Sequence, residues 1–446
     1  MSIVRPLRRF RLGPIPDAAP SPAPDLRRAR DETQAATRTP AKSRPNVVRR
    51  ERHQPDHVIL VAVVALAAIG ILMVYSSSAM RAYLAQDDTL AIVGPQIGWG
   101  GLGILVMLLF SRIDYRYLRL ASIPAYIVAI VLLVLVFHPA LNVVVGGSAR
   151  WLRLGPLPAL HPAEVAKLAL IIYLAHWMAG RGTRIRSMIG GTLPFLLITA
   201  PVLALVFREP DLGTTSVIAV TAFTMFFVAG ANLVHLVALG ALAVMGALAV
   251  GLRGYQLERL EAFIDPWRDP LGKGFHTIQG LLALGLGGIL GAGLGESRLA
   301  GGLFLPNASN DFIFAIIGEE FGFVGACIVI ALFLVLGYAG IRTALGAPDT
   351  FGALLAAGIT AWLSLQAFIN VAVVVALLPV TGITLPFISA GGSSLIISFA
   401  AAGILLSISR ETVERSTWND AATDRGRGNG RTHLPRAGRR TIPSRP

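Results

Sequence analysis

The chain has 446 residues, of which 54% are apolar and only 14% are charged, and its mean hydropathy is +0.65. Soluble globular proteins carry about 25% charged residues, so this composition excludes that class and predicts a polytopic membrane protein. The single cysteine, Cys327, excludes an intrachain disulfide framework and a cysteine metal cluster. The net charge of +14 would suggest nucleic acid binding on a folded surface, but the basic residues crowd into two tails, so we expect no nucleic acid partner.

Both ends of the chain are basic and lack apolar periodicity. Residues 1–56 are rich in Pro, Arg and Ala, and residues 411–446 are similar, which predicts two disordered cytoplasmic tails. The first apolar run begins only at Val58, too late for a secretory signal. We therefore expect the N-terminal tail to be retained.

Apolar windows of about 20 residues predict an all-α membrane domain over residues 57–410 with about ten transmembrane helices. The uncharged run Phe351–Val380 is long enough to contain a steep tilt or a break. The predicted spans are 57–76, 91–110, 119–137, 163–180, 189–207, 213–230, 233–252, 311–338, 351–379 and 387–408.

Arginine placement predicts that both termini are cytoplasmic, with the chain crossing the cytoplasmic membrane repeatedly. Three clusters then lie inside: Arg112, Arg116 and Arg119; Arg181, Arg184 and Arg186; and Arg425, Arg427, Arg431, Arg436, Arg439 and Arg440. Three segments lie outside: loop 138–162, the Arg208–Asp211 corner, and the long segment 253–310 between helices 7 and 8. Nearly all remaining polar residues are in or beside these segments.

The first outer loop contains Arg150 and Arg153, cations on the side where arginine is disfavoured. They pair either with loop carboxylates or lipid phosphate, or with an anionic substrate group. Pro162 then opens a helix in which Glu164 and Lys167 share one face. That pair is either structural or in contact with substrate.

The other two outer segments are less specific. The corner with Asp211 is typical of a proline turn with a helix-capping carboxylate. The long segment has aromatic and charged residues around Arg259, typical of an amphipathic element on the outer leaflet. The helix with Gln279 follows, and then GLGGILGAGLGES, where no strand precedes the glycines, so close backbone packing is favoured over a nucleotide-binding loop.

The stretch LFLPNASNDFIFAIIGEEFG, residues 303–322, places Asp311 at the mouth of an apolar run and Glu319 and Glu320 about two turns inside it. Carboxylates at membrane depth are costly and suggest a functional site. From the residues alone, Asp311 is either a helix-capping structural residue or a catalytic one.

Five ordered segments carry a family resemblance: RWLRLGPLPALHPAEVAKLAL, EPDLGTT, DPWRDPLGKGFHTIQGLLALGLGG, LPNASNDFIFAIIGEEFGFVGA and LLPVTGITLPFISAGGSSLI. Over about residues 58–410 the chain resembles the SEDS family of FtsW, RodA and SpoVE. The resemblance implies a glycosyltransferase that polymerises lipid II into peptidoglycan strands on the outer membrane face, with a class B penicillin-binding transpeptidase as partner. It implies Asp311 as the catalytic residue.

Positions that agree with the family pattern are Arg150, Glu164, Lys167, Asp211, Arg259, Gln279, Asp311, Glu319, Glu320, Pro386, Gly391 and Gly392. We predict that Arg150, Glu164, Lys167, Asp211, Arg259, Gln279, Glu319 and Glu320 bind substrate. The departures are His161 and Ala163 (HPAE for QPSE), Glu209 (EPDLG for QPDLG), Asn307 and Ser309 (LPNASND for LPEAHTD), and Ala390 (SAGGSS for SYGGSS).

The implied reaction needs one base and a cationic clamp for a pyrophosphate leaving group. Asp311 suits the base, and Arg150, Arg259 and Lys167 suit the clamp. A divalent cation, magnesium or manganese, could share the clamp, and no organic cofactor is expected. The alternatives are a lipid II flippase and a scaffold that positions division enzymes. Cell division and cell elongation complexes both stay open, although GITLPFIS favours the FtsW branch.

Overall fold

The computed structural model describes residues 50–52, 54–145, 148–153, 155, 158–250 and 255–413. The predictions for residues 1–49 and 414–446 lie outside the described residues. The helices are α1 (His57–Gln86), α2 (Val93–Arg112), α3 (Tyr117–Leu135), α4 (Pro162–Ala179), α5 (Leu193–Arg208), α6 (Leu212–Val228), α7 (Leu233–Val250), α8 (Tyr255–Ile264), α9 (Phe275–Gly287), α10 (Arg298–Gly301), α11 (Ile313–Gly346), α12 (Thr350–Val374) and α13 (Gly392–Ser409).

The helical fold class is confirmed, and each of the ten predicted spans overlaps a helix. Within the described residues, seven helices are long and apolar enough to cross a membrane: α1, α2, α3, α5 with the π-turn before it, α11, α12 and α13. The helices α6, α7 and α9 are shorter apolar segments. The count of ten crossings and the inside-outside assignment stay predictions.

Two antiparallel strand pairs accompany the helices. Strands β2 (Asn142–Val145) and β3 (Ser148–Leu152) pair within the first predicted outer loop. Gly146 and Gly147, between the two strands, lie outside the described residues. The short strands β1 (Arg50–Arg52) and β4 (Glu411–Val413) pair with each other.

The most buried helices are α4, α12 and α13, which pack on one another and on α2, α6 and α11. Their interior faces carry large apolar side chains such as Trp362 and Phe399. Three polar side chains, Lys167, Gln366 and Asn370, lie among them with 3% exposure or less. Burying such groups is costly unless they are hydrogen-bonded, so their presence marks a polar network inside the bundle.

The two ends of the helix bundle carry different charged residues. At one end Arg342 pairs with Asp56, and Arg116 pairs with Glu411 and lies 3.6 Å from Asp349. This is the end where the described chain begins and finishes. Asp311, Arg150 and Glu164 lie at the opposite end, as the predicted topology requires.

Helix α11 is interrupted at Gly322, whose φ of 66° and ψ of −164° are not helical. The glycine-dense segment after α9 fills the interruption: Ala292 N–H and Gly293 N–H donate to the carbonyls of Glu319 and Glu320. A Cβ on Gly322 would lie 2.4 Å from Gly291 N, so only glycine permits this approach. The prediction of close backbone packing is confirmed. Of the tilt and the break that Phe351–Val380 left open, the structure shows no break within α12, which ends at Val374.

Candidate active site

A cavity of about 640 Å³ opens at the end of the bundle that contains Asp311. Six of the predicted site residues line it together: Arg150, Glu164, Lys167, Asp211, Arg259 and Asp311. They come from β3, α4, the corner before α6, α8 and the segment before α11, so the fold gathers residues separated by more than 150 positions. This is the largest cluster of predicted site residues in the described part of the chain.

Four long helices begin at this cavity. The N-termini of α4, α6, α11 and α13 are represented in its lining by Glu164, Thr214, Asp311 and Ser394. Helix N-termini carry partial positive charge and unpaired N–H groups, so they favour anions. The converging helices therefore add positive potential to the cavity beyond that of its arginine and lysine side chains.

Asp311 precedes α11, and Phe312 occupies the N-cap position without a side-chain cap. The interpretation of Asp311 as a helix cap is therefore wrong. Its carbonyl accepts a hydrogen bond from Asn370 Nδ2 at 2.8 Å, and the preceding carbonyl, of Asn310, accepts one from Ser389 Oγ at 2.6 Å. Burial raises the pKa of Asp311 to about 6, and the Arg259 charge opposes that rise. The main chain at Asp311 is thus held in place, and its carboxylate is a stronger base than that of an exposed aspartate.

Two arginines flank the cavity and donate to main-chain carbonyls. Arg150 donates from Nε to Glu209 O at 3.2 Å and from Nη2 to Pro210 O at 2.6 Å. Arg259 donates from Nη1 to Val380 O at 2.8 Å. Burial lowers the pKa of Arg259 to about 10, so it still carries its charge at neutral pH. Because the carbonyls are neutral acceptors, they orient these cations without cancelling their charge.

Lys167 is held by a network that the sequence only partly indicates. Its Nζ donates to Glu164 Oε1 at 2.9 Å and to Gln366 Oε1 at 2.8 Å, and it lies 5.1 Å from the centre of the Trp362 ring. The predicted Glu164 and Lys167 pair is therefore present and buried. Lys167 also lines the cavity, so the geometry allows a structural role and a substrate contact.

Asp211 is the cap that the corner predicts. Its Oδ1 accepts from Thr214 N at 3.0 Å, and its Oδ2 accepts from Thr214 Oγ1 at 2.8 Å, which starts α6. His161, the residue before α4, places Nε2 3.8 Å from Asp211 Oδ2 and packs edge-on against Trp151. This corner and the start of α4 together form one wall of the cavity.

A second cavity of about 230 Å³ shares Asp311, Arg259 and Asn307 with the first. Its other polar lining residues are Glu258, Lys273 and His276 from α8, α9 and the turn between them. Asp311 therefore lies where two cavities meet, one lined by three cations and three carboxylates and one beneath the long outer segment.

Three predicted substrate-binding residues lie away from both cavities: Gln279, Glu319 and Glu320. Gln279 is half-buried in α9. Glu319 accepts hydrogen bonds from Ser297 Oγ at 2.5 Å, Arg298 N at 2.8 Å and Leu299 N at 3.3 Å, so it anchors α10. Glu320 accepts from the Ser76 hydroxyl of α1. The substrate role of these three residues stays a prediction that the geometry does not favour.

Sequence reasoning missed the two amides of α12 that support the site. Gln366 joins Lys167 to Thr384 O, and Asn370 Nδ2 joins Asp311 O to Ile383 O. A partial signal was available, because polar side chains are uncommon inside an uncharged apolar span, although the sequence does not show which groups the amides contact.

Known proteins resemble the chain over most of its length. The family model FtsW/RodA/SpoVE, described as a cell cycle protein, matches residues 56–414. The chain belongs to this family. Stage V sporulation protein E of Bacillus subtilis (strain 168) is 40% identical over 361 residues, which cover 81% of this chain and 98% of that protein. A probable peptidoglycan glycosyltransferase FtsW of Geobacter sp. (strain M18) is 38% identical and covers 79% of this chain and 96% of its own.

Solved structures of the FtsW/RodA/SpoVE family agree with the fold. A chain of a complex described as a peptidoglycan synthase that coordinates polymerization and crosslinking matches with a TM-score of 0.66 and 32% identity, covering 80% of this chain and 98% of its own. The rod shape determining protein RodA of Thermus thermophilus matches with a TM-score of 0.59 and 29% identity, covering 80% and 97%.

Three departures from the family pattern have physical explanations here. Burial raises the pKa of Glu209 to about 8, so at neutral pH it is protonated and as uncharged as the family glutamine. Asn307 has a φ of 55°, in the left-handed region that asparagine tolerates better than glutamate. At Ser309 the main chain makes the contact, because Ser309 O accepts from Ala390 N at 2.9 Å.

Proposed function

We propose that this chain is a peptidoglycan glycosyltransferase that polymerises lipid II on the outer face of the cytoplasmic membrane. One observation carries the proposal: Asp311 lies where the larger cavity, with its three cationic side chains and three carboxylates, meets a second cavity beneath the outer segment. A polymerase needs a donor and an acceptor on either side of its base. The names of the family relatives support the same reaction class.

Asp311 removes the proton of the acceptor hydroxyl as that oxygen attacks the anomeric carbon of the donor. The new glycosidic bond forms as the bond to the lipid diphosphate breaks, and the electron pair leaves with the diphosphate. General-base help of this kind contributes about 10² to 10⁴ in rate. A pKa near 6 leaves Asp311 mostly ionised at neutral pH yet basic enough to accept the proton.

The larger cavity suits the donor diphosphate. Arg150, Arg259 and Lys167 provide cationic donors along its wall, and four helix N-termini point at it. These groups stabilise the negative charge that grows on the leaving diphosphate. The smaller cavity, with Glu258, Lys273 and His276, then receives the acceptor sugar.

A divalent cation stays part of the proposal only as an ion that the substrate diphosphate binds. Among the described residues, no group of three His, Cys, Asp or Glu side chains is placed to hold a metal ion. Magnesium or manganese would therefore take most of its ligands from diphosphate oxygens and water. When bound, it would neutralise diphosphate charge.

The partner is proposed to be a class B penicillin-binding transpeptidase within a division or elongation complex. A related chain was solved in a complex of polymerization and crosslinking activities, which supports such a partner. The long outer segment that covers the smaller cavity is the surface through which a partner could influence the site.

The test is polymerisation of labelled lipid II by purified Asp311→Asn protein with its cognate transpeptidase. This change keeps the shape of the side chain and removes the base, so we expect polymer to fall by about 10² to 10⁴ without a change in melting temperature. Asp88→Asn, on an exposed loop, is the matched control. Near wild-type polymer from folded Asp311→Asn protein would contradict the proposal.

The same assay separates an enzyme from a flippase. An enzyme lengthens glycan chains in detergent, where there are no compartments. Lipid translocation in liposomes, together with no polymer in detergent under any partner or metal condition, would favour transport instead.

A further inference from the structure

His161 stands where the family pattern has glutamine, and it lines the larger cavity. Its backbone N–H donates to Ser393 Oγ at 3.3 Å, and its ring packs edge-on against Trp151 with centroids 5.1 Å apart. Its side chain is 13% exposed. The ring is therefore fixed in place, with a small part of it open to the cavity.

The two ring nitrogens of His161 have different surroundings. Nε2 lies 3.8 Å from the Asp211 carboxylate, whereas Nδ1 is buried and has no hydrogen-bond partner among the described residues. A neutral imidazole carries one proton and accepts a second. Adding that proton here breaks no hydrogen bond and places a cation beside Asp211.

The charges around His161 nearly cancel when the cavity contains no substrate. Three cationic side chains line it, Arg150, Lys167 and Arg259, and three carboxylates line it, Glu164, Asp211 and Asp311. Those facing His161 are Asp211 from the corner, Glu164 and Lys167 from α4, and Arg150 from β3. Glu209, next to the corner, is protonated at neutral pH because burial raises its pKa to about 8.

An anion that enters such a balanced, partly buried cavity leaves uncompensated charge, which is costly. The lipid-linked diphosphate of the proposed reaction carries negative charge on both phosphates. Lys167 is already bonded to Glu164, so it compensates this charge only in part. The helix N-termini compensate a further part through their partial charges, and a proton or a metal ion supplies the remainder.

We infer that His161 takes up a proton when the diphosphate enters, so that donor binding in this chain is coupled to protonation. The inference rests on the proposed function and adds a pH-dependent ligand that the family glutamine cannot provide. Burial lowers the pKa of His161, so the ring is neutral before substrate arrives. An adjacent diphosphate opposes that effect by stabilising the imidazolium.

The experiment is calorimetry of a lipid II analogue with a farnesyl chain, in two buffers of different ionisation enthalpy, with EDTA present. Both phosphates of the analogue are diesters, so they do not titrate between about pH 6 and 8. We expect wild-type protein to take up about one proton per analogue, and its Kd to fall by up to about tenfold for each pH unit lowered. A farnesyl glycoside without the diphosphate should cause no uptake.

Three variants assign the proton. Between pH 7 and 8, where Asp311 is mostly ionised, His161→Gln, which restores the family residue, should bind the analogue without uptake and with a Kd independent of pH. Asp311→Asn should retain the uptake, which distinguishes His161 from the catalytic carboxylate. His138→Gln, on an exposed part of the outer loop, should behave like wild type. In steady-state assays, His161→Gln should remove the pH dependence of KM and leave the pH dependence of kcat to Asp311.

Several results would overturn the inference. They are analogue binding without proton uptake, uptake retained in His161→Gln, uptake lost only in Asp311→Asn, or binding that requires magnesium and takes up no proton. If His161→Gln does not fold, histidine-labelled wild-type protein answers the question, because no new imidazolium signal on binding would contradict the inference. Polymerisation without proton uptake would contradict the inference and leave the proposed function intact. If the protein neither bound the analogue nor formed polymer, both the inference and the proposed function would be contradicted.

Discussion

The protein encloses carboxylates in several places, and two of these regions differ in the contacts that their carboxylates make. Around the larger cavity, Asp311, Asp211 and Glu164 face open volume beside three cations. At the break in α11, Glu319 and Glu320 are 1% exposed and bond to groups of α10 and α1. In both regions, placing a carboxylate within the membrane domain costs free energy. The cost of a buried carboxylate therefore indicates a role but does not say whether that role is catalytic or architectural.

The largest expected effect on stability concerns Glu164 and Lys167, which form a buried ion pair and also line the larger cavity. Breaking a buried ion pair on one side costs about 3 to 5 kcal/mol, so Glu164→Gln or Lys167→Met alone should lower thermal stability strongly. The double variant should recover most of the stability and stay poorly active, because a cation at the diphosphate is gone. Thermal melts and polymerisation assays measure both outcomes. Full activity in the double variant would remove both residues from the site.

The next effect tests the architectural region. Glu319→Ala should cost about 1 to 3 kcal/mol of stability for each buried donor of the Ser297, Arg298 and Leu299 set that it leaves unpaired. Glu319→Gln keeps an acceptor for the two N–H groups and an amide that can donate to Ser297, so it should be far milder. Polymerisation per folded molecule should be similar in both. A stable Glu319→Ala protein without activity would move Glu319 into the catalytic region.

A smaller effect concerns pH and the catalytic region. Asp311 acts as a base only when ionised, and its pKa is about 6. Polymerisation should therefore decline as pH falls, with kcat about tenfold lower one unit below the pKa that Asp311 has in the substrate complex. Initial rates at saturating lipid II measure it. A kcat that is constant down to about pH 4.5 would mean that Asp311 is not the base.

The smallest effect on activity concerns Glu209. The folded protein holds its proton up to about pH 8, whereas an ordinary glutamate releases it near 4.5, so this group lowers stability as pH rises between those values. Glu209→Gln has no such loss. At pH 7 we expect its activity within about twofold of wild type and its melting temperature no lower, with an advantage that grows from about pH 5 to 8. An advantage that is constant with pH would contradict a neutral Glu209.

The sequence predicts the helices because apolar runs are local signals, and each predicted span overlaps a helix. The catalytic candidate came from the family resemblance, because the residues alone left Asp311 open between a cap and a catalytic role. The break at Gly322 could not be predicted, since it depends on the glycine segment that bonds to it from another part of the chain. Gln366 and Asn370 lie in the run suspected of a break, and their partners come from α4 and the segment before α11. Such three-body contacts have no local pattern.

Photocrosslinking shows directly where the donor diphosphate binds, if a lipid II analogue carries the photoreactive group beside its diphosphate. If the larger cavity binds the donor, the crosslinks should map to peptides around Arg150, Lys167 and Arg259, and unlabelled lipid II should compete with them. Crosslinks that map instead to Gln279, Glu319 and Glu320, with equal competition, would place the substrate at the break in α11 and contradict the account.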